Sequence, residues 1–525
     1  MRITNTHCAL LIFLIVLGLR CFHLSDAALW EDEAFRYDLA LGDRTHFVAS
    51  RQETSQVYTH TPDVQQPHGS LADVLSFLRA ESPYAPGYYT ILHVFMVWGV
   101  RSVAALSLVN ALCAAGTATV LFLLGRRFLP VSSALVAPLL FMLSAWDVGV
   151  NMQLKETGMA TMLGWLGTLL LQRLLGDPKG WVAYGVCLGC ALLVQQQSIY
   201  WFPVHGLWVV LDRRHDGVRL IALSKAWIVS ATMYLPWFLY AGQSQLSHLR
   251  AVNHLFGGDW ADLAGVVGAV HIYIGQSLAP LGPATFREAW ALASFVGLVL
   301  VVCGHGVIRH RHRAVILGST VWLGGLLLAM LTYIIMRQNQ ALWPRYSPIF
   351  LPGAWLVTGG LLHLASQVLY LRRSIANILV PISAVTLGVV LFPRPLEPVT
   401  LDRYTDWRPV ATALETRASP GDLVVHQVGY NAFDAFIHLW PLATQHRMMS
   451  APSPEQREAL RAYAEGRPVW FVLSWGHTGD GANWQSTFAD RQMIEVNIPE
   501  TRSDNLASSS GSGPAAVRVV GFIPQ

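Results

Sequence analysis

The stretch Leu17–Arg36, LGLRCFHLSDAALWEDEAFR, closes a long apolar run and opens a loop that carries three consecutive carboxylates, Glu31, Asp32 and Glu33. A bilayer crossing takes about 20 predominantly apolar residues, and the run near 7–25 supplies them. Arg20 and His23 interrupt it only near its far end, where a long side chain can snorkel towards water. Ala27 and Ala28 after a short apolar region would also suit signal-peptide cleavage. The n-region holds only Arg2, so the run is expected to stay as an anchor. A bilayer anchor followed at once by an acidic loop sets the class: an α-helical polytopic membrane protein.

Outward from this stretch the same pattern recurs. Apolar runs near 102–125, 130–147, 152–172, 180–196, 198–212, 219–240, 287–308, 314–336, 347–370 and 374–392 bring the expected number of transmembrane helices to about eleven. The composition agrees: 53% of the 525 residues are hydrophobic and 13% are charged, against roughly 25% charged in a soluble domain. Mean hydropathy is +0.40. Nineteen Trp suit a chain with many membrane–water boundaries. The net charge of +4 is spread over short basic clusters between apolar runs, which excludes a nucleic-acid footprint. All six cysteines, Cys8, Cys21, Cys113, Cys187, Cys190 and Cys303, fall in or beside apolar segments, so neither a disulfide framework nor a zinc site is expected.

Arg126–Arg127, Arg173 with Lys179, Arg213–Arg214 with Arg219, Arg309 with Arg311 and Arg313, and Arg372–Arg373 occupy every second boundary. Positive residues stay on the cytoplasmic side. The amino terminus is therefore expected in the cytoplasm, and the carboxyl terminus outside a plasma or bacterial inner membrane. The division follows: a membrane domain over 1–395, with a large first external loop at 26–101, and a soluble extracytoplasmic α/β domain over 396–525. In the first loop, Ser82–Tyr89 leads into a helix ending near Trp98, too short to span and expected along the interface; a second such helix is expected over 260–278. In the outer domain, Leu423–His426, Val469–Leu473, Met493–Val496 and Ala516–Gly521 are expected as strands, and Trp407–Arg417 and Pro454–Glu465 as helices. Ala507–Pro514 is expected as a loop.

Three groups could carry chemistry. Adjacent carboxylates at 31–33 repel one another, which favours a raised pKa and general-base work; alternatively they are a solvated acidic turn before a helix starting at Ala34. Glu156, in Asn151–Glu156 at the start of the fourth run, is an ionisable group in a membrane helix, costly to keep without a use; alternatively it pairs with Lys155 or snorkels. The loop Arg337–Tyr346, with Arg337, Trp343, Arg345 and Tyr346, could bind phosphate through arginine forks or anchor the headgroup region. Gln195–Gln197 suits either helix ends or a sugar groove. No Gly-rich nucleotide loop is present, which argues against a nucleotide-sugar donor.

These stretches together resemble the GT-C glycosyltransferases related to protein O-mannosyltransferases and to the aminoarabinose transferase that modifies lipid A. Leu17–Arg36 is similar to the family's first-helix end and its Trp-x-Asp-Glu-Ala motif. ESPYAPGYYTILHVF (81–95) resembles its proline–tyrosine juxtamembrane helix, and LWPRYSPIFLPG (342–353) its late Arg-Tyr signature. YTDWRPVATALETRASPGDLVV (404–425) resembles the entrance to its outer domain. One departure stands out: Lys155-Glu156-Thr157-Gly158 replaces the family's usual Gln-Glu-Ala-Arg.

The resemblance implies transfer of a sugar from a polyprenyl-phosphate donor to an acceptor hydroxyl on the extracytoplasmic face, by inverting single displacement. Asp32, Glu33 and Glu156 would be catalytic. Arg345, Arg337, Tyr346 and Lys155 would bind the donor phosphate, and Pro86, Tyr88, Tyr89 and Gln196 would line the substrate groove. The scheme fixes no cofactor and leaves a divalent cation open, which would sit on Asp32 and Glu156. The acceptor could be lipid, glycan or protein, with membrane lipids as the other partners. Two other classes stay open: a transporter or flippase, which would show repeated halves and a midplane site, and an inactive scaffold relative.

Overall fold

The computed structural model describes residues 5–22, 24, 31–42, 58–59, 69–81, 84–100, 102–144, 147, 153–212, 217–256, 313–336, 348–368, 372–391, 408–427, 445–448, 454–473, 481–496 and 518–524. They fall into two compact units: Met1–Ser25 with Leu78–Tyr88 and Ala104–Leu401, and Asp26–Phe77 with Tyr89–Val103 and Asp402–Gln525.

The first unit is helical. Its long elements are α1 (Asn5–Phe22), α5 (Val103–Arg126), α6 (Val131–Ala134), α7 (Val136–Leu143), α8 (Thr157–Leu174), α9 (Trp181–Val194), α10 (Trp201–Asp212), α11 (Gly217–Phe256), α12 (Arg313–Met336), α13 (Pro352–Val368) and α14 (Arg373–Leu391). The long apolar runs of this unit within the described residues become helix, since a helix satisfies its backbone N–H and C=O groups within one segment in hydrocarbon. Asn5–Phe22, Val103–Arg126 and Gly217–Ser247 are individually long and apolar enough to cross a bilayer, and four shorter apolar helices accompany them. On α14 the apolar residues Ile375, Ile378, Leu379, Ile382 and Val385 are exposed along one face, as expected where lipid tails replace water.

Close packing follows small residues. A β-carbon on Gly185 of α9 would lie 2.6 Å from the Ala226 carbonyl oxygen of α11, and the Ser230 hydroxyl of α11 donates to the Gly185 carbonyl at 2.7 Å. Gly318 of α12 and Gly353 of α13 likewise face one another's carbonyls. Small residues at such crossings let backbones approach and gain van der Waals contact, the main attraction left inside a bilayer.

Several expectations change. The run expected over 130–147 is helical only to Leu143, apart from a one-residue helical assignment at Asp147, and that over 152–172 begins at Thr157. The run expected over 219–240 continues to Phe256. Arg20 does not snorkel; it is 1% exposed. The run over 287–308 and the helix over 260–278 lie outside the described residues.

The second unit combines α2 (Glu31–Leu41), most of α3 (Leu71–Glu81), most of α4 (Pro86–Val97) and a six-stranded sheet. α2 starts at Glu31 and not at Ala34, because three acids in a first turn favour the positive end of the helix dipole. α3, unanticipated, opens on a capping box: the Asp73 carboxylate accepts from Ser70 N at 2.6 Å and from Ser70 Oγ at 2.7 Å. Those bonds hold the Asp73 carboxyl below its ordinary range. α4 is the expected short helix.

The sheet order is β1-β3-β2-β4-β6-β5, from β1 (Tyr58–Thr59), β2 (Leu423–Gln427), β3 (Gln445–Met448), β4 (Val469–Leu473), β5 (Arg491–Val496) and β6 (Arg518–Pro524). β2 pairs in parallel with β3 and β4, and β6 runs antiparallel between β4 and β5. β2 and β4 are buried along their whole length; β4 reads as an unbroken apolar run, and β2 opens on Leu-Val-Val before the buried His426 and Gln427. Leu423, Val425, Phe471 and Phe522 form the core with Leu460 from α16 (Pro454–Tyr463) and Trp484 from α17 (Gly481–Thr487). α15 (Arg408–Glu415) is the other expected helix. β1 and β3 were not expected as strands, nor was α17 as a helix. β1 lies in the first loop and pairs antiparallel with β3 through Tyr58↔His446 and Thr59↔Gln445. The stretch Ala507–Pro514 lies outside the described residues.

Candidate functional site

In the helical unit the chemistry gathers around one amide. Asn110, fully buried seven residues into α5, directs its side-chain NH₂ at the Lys155 carbonyl (2.9 Å), the Gln153 carbonyl and the Tyr88 hydroxyl (3.1 Å). An amide nitrogen there is required, since an oxygen would repel both carbonyls. The loop 153–156 is tightened further by Lys155 N–H donating to the Gln153 carbonyl at 2.7 Å. Glu156 then caps α8, its backbone carbonyl accepting from Ala160 N at 3.0 Å.

Lys155 is 2% exposed and Glu156 5%. Two adjacent charged side chains are thus held out of solvent at the start of α8, and neither snorkels. Pro86, Gly87 and Tyr88 reach the same end of the bundle: a β-carbon on Gly87 would meet the Leu193 carbonyl oxygen of α9 at 2.7 Å. Sequence reasoning missed Asn110. Its signal was available, as a lone amide in an otherwise apolar run.

Gln196 is tied elsewhere in this unit. Its amide donates to Gln245 Oε1 at 2.6 Å, and Gln245 donates to the Tyr84 carbonyl at 2.7 Å. The chain Gln196–Gln245–Tyr84 joins the end of α9 to α11 and to the stretch preceding α4.

In the sheet-bearing unit, α2 buries one side of the acidic motif. Glu33 is 4% exposed, and Arg36 and Asp38 are fully buried. Glu33, Arg36, Tyr37 and Ala40 share a helix face by their spacing, so the turn at 31–33 is not simply a solvated cap. Asp32 occupies the first turn of the helix. Phe35 meets Phe77 of α3 edge-on at 6.1 Å, and His93 Nδ1–H of α4 donates to the Ala40 carbonyl at 2.8 Å. Tyr89 is buried in this unit. The buried Arg36 and Asp38 were not singled out as site residues from the sequence.

Glu33 and Tyr89 therefore belong to one unit, and Tyr88, Lys155, Glu156 and Gln196 to the other. Arg337, Arg345 and Tyr346 lie outside the described residues. Among the described residues no group of three His, Cys, Asp or Glu side chains could hold a metal ion.

Replacing Asn110 by leucine tests the amide's role. It removes one donor from each of the Gln153 and Lys155 carbonyls, of which Gln153 keeps Lys155 N–H, at a cost of about 1–3 kcal/mol. The expected outcome is a lower melting temperature in detergent and faster acetylation of Lys155 by an amine-reactive reagent, read by mass spectrometry. Unchanged Lys155 reactivity would show that Asn110 does not hold the loop.

No protein-family model matches the sequence, and no curated protein matches it either. Solved structures do. The apo state of ArnT from Cupriavidus metallidurans aligns over 98% of both chains with a TM-score of 0.54 at 13% identity. The same protein bound to undecaprenyl phosphate aligns at 0.49 and 13% identity over 99% of this chain and 98% of that one. The apo oligosaccharyltransferase of Archaeoglobus fulgidus aligns at 0.43 and 12% identity over 97% of this chain and 76% of that one. The last two fall below one half and add nothing to the argument. At such identities a likeness speaks for architecture alone: the chain has the fold of ArnT.

Proposed function

We propose that this protein transfers a sugar from a polyprenyl-phosphate carrier to an acceptor hydroxyl at the extracytoplasmic face of the membrane. The observation that carries the proposal is an ArnT-like fold over nearly the whole chain whose helix starts hold buried charged groups, Glu33 and Arg36 on α2 and Lys155 and Glu156 at α8. The basic clusters support the side, since Arg126 and Arg173 lie at the last turns of α5 and α8, whose first halves hold Asn110 and the Lys155–Glu156 start.

In this reading Asp32 is the general base. The acceptor oxygen attacks the anomeric carbon while its proton passes to the Asp32 carboxylate. The bond from that carbon to the phosphate oxygen breaks in the same step, and the lipid phosphate leaves with its electron pair from the opposite face, so configuration inverts. Arg345 with Arg337, Tyr346 and Lys155 stabilises the charge growing on the phosphate. Glu156 orients the sugar, and a divalent ion would take a carboxylate ligand, Asp32 or Glu156. Glu33 supports the base from the adjacent position, and Pro86, Tyr88, Tyr89 and Gln196 shape the groove. The acceptor is a lipid, glycan or protein hydroxyl.

The test is a comparison of membranes with and without the gene, loaded with polyprenyl-phosphate sugars. Donor consumption and a new glycosylated product should depend on the chain, and a reporter fused after residue 400 should behave as extracytoplasmic. Equal donor consumption in both membranes would end the transferase reading; a cytoplasmic reporter would reverse the side.

A further inference from the structure

The bundle end that holds Lys155 and Glu156 is rich in carboxamides. Asn110, Gln153, Gln195, Gln196, Gln197 and Gln245 come from four separate stretches of the helical unit and converge on Tyr84–Tyr88. Asn110 donates to the Tyr88 hydroxyl and to the Gln153 carbonyl. The backbone at Gly87 runs close against the Leu193 carbonyl, two residues ahead of Gln195. Gln245 donates to the Tyr84 carbonyl and accepts from Gln196, and Gln195 Nε2 donates to Gln197 Oε1 at 2.6 Å. Together these amides form a collar.

The hydrogen bonding of the collar is one-sided. The side-chain nitrogens of Asn110, Gln195, Gln196 and Gln245 each donate to a protein oxygen. Asn110 Oδ1, Gln153 Oε1 and Gln195 Oε1 are buried and meet no donor among the described residues. Asn110 as a whole is fully buried, and Gln195 is 7% exposed. Buried polar atoms are nearly always paired, and an amide kept for packing alone would be costly in a membrane bundle. Three open acceptors suit a ligand that brings donors. The collar carries no charge of its own, and Lys155 shares its loop with Gln153, which disfavours a second cation. The hydroxyl groups of a sugar are neutral donors of the right kind. Gln153, Gln196 and Gln197 are half-buried, so the collar is not sealed.

We propose that this collar is the subsite for the sugar of the donor lipid, where the amide oxygens of Asn110, Gln153 and Gln195 accept from its hydroxyl groups and so select which sugar is taken. The assignment to the donor rests on the reading above, in which Lys155 holds the donor phosphate. A sugar joined to that phosphate lies directly beside it, and the Asn110 amide binds the Lys155 and Gln153 carbonyls together.

The experiment measures binding of undecaprenyl-phosphate hexoses and pentoses to the full chain in lipid nanodiscs, with bare undecaprenyl phosphate as the reference. At least one sugar is expected to tighten binding by about 3–10-fold over the bare lipid phosphate, as a neutral hydrogen bond or two would. Gln153→Met removes the side-chain oxygen and leaves the backbone carbonyl that Asn110 holds. It should erase that gain, with melting as in the parent and affinity for the bare lipid within about twofold of it. Should Gln153→Met fail to fold, the parent decides the point: one monodeoxy form of the preferred sugar should bind no better than the bare lipid. The proposal is overturned if no sugar binds tighter than the bare lipid, or if the gain survives Gln153→Met. Monodeoxy forms that all keep the gain overturn it too, since the three oxygens would then hold water only. Methyl glycosides of the same sugars, added to the chain loaded with bare lipid phosphate, probe the acceptor as the other source of hydroxyls. Gln153-dependent binding there, with no gain from the lipid-linked sugar, overturns the donor assignment. A chain that gains affinity through the collar yet releases no lipid phosphate loses the function proposed above and keeps the subsite.

Discussion

Replacing Asp32 by asparagine is expected to lower sugar transfer by about 10²–10⁴-fold, the usual contribution of a general base. Asparagine keeps the size of the side chain and removes only the capacity to take the proton. The cost to folding is small. One charge is lost from the first turn of α2, where an acid contributes typically about 0.3–1 kcal/mol through the helix dipole. The protein should therefore accumulate in the membrane and melt near the parent temperature, and donor affinity should be kept. Asp32→Glu, which restores a carboxylate displaced by one methylene, should recover part of the rate. The assay is release of lipid phosphate from a polyprenyl-phosphate sugar in proteoliposomes. Transfer by Asp32→Asn at the parent rate would remove this residue from the mechanism.

Gly164→Val should instead disrupt the fold. A β-carbon at 164 would lie 2.2 Å from the Trp201 indole of α10. That ring has nowhere to go. It is fully buried, with Phe350 at 4.9 Å, His205 at 5.2 Å and Trp165 at 5.6 Å between ring centroids. α8 must then move away from α10, and a buried polar chain breaks with it. The Thr168 hydroxyl donates to the Gly164 carbonyl at 3.0 Å and so accepts from His205 Nε2–H at 3.0 Å; His205 Nδ1 in turn accepts from the Tyr184 hydroxyl at 2.9 Å. Overpacking alone costs about 1–3 kcal/mol, and orphaned buried groups add about 1–3 kcal/mol each. Melting in detergent should drop sharply, and the protein should lose its single peak on size exclusion. A parent-like melt would mean that α8 and α10 do not meet through Gly164.

How much of this was legible depends on the physics behind each element. The bilayer demands long apolar runs and confines basic residues to alternate ends, so the helices could be drawn from Leu17–Arg36 outward. β2 and β4 were legible for a related reason: strands buried on both faces are rich in apolar residues, as in Leu423–Val425 and Val469–Leu473. β3, Gln-His-Arg-Met, carries no such pattern, because it lies towards the sheet edge. α3 had a helix signal that went unused, Ser70 and Asp73 at capping spacing ahead of Leu71, Val74, Phe77 and Leu78. Helix ends were misjudged where polar residues precede the first hydrogen-bonded turn, as at Gln153–Glu156 ahead of Thr157.

Of the candidate residues, Glu33 in one unit and Lys155 and Glu156 in the other stood out as charges beside apolar runs, and the structure buries all three. Asn110 did not, since its meaning lies in partners far away in the chain. An amide in an apolar run has several uses, and only its contacts choose among them. The snorkelling expected of Arg20 failed for the same reason: the sequence shows where an arginine could reach water but not that the Phe141 carbonyl of another helix accepts from it.

The two residues of β1 constrain how this protein can be engineered. Because Tyr58 and Thr59 hydrogen-bond to β3, the carboxyl-terminal segment is not a detachable module whose boundary falls near residue 400. Expressed by itself, that segment would present β3 as an open edge, free to recruit another strand and aggregate. A chimera that exchanges it with a relative would have to carry residues near 58–59 along, or the graft would arrive with one seam unsewn.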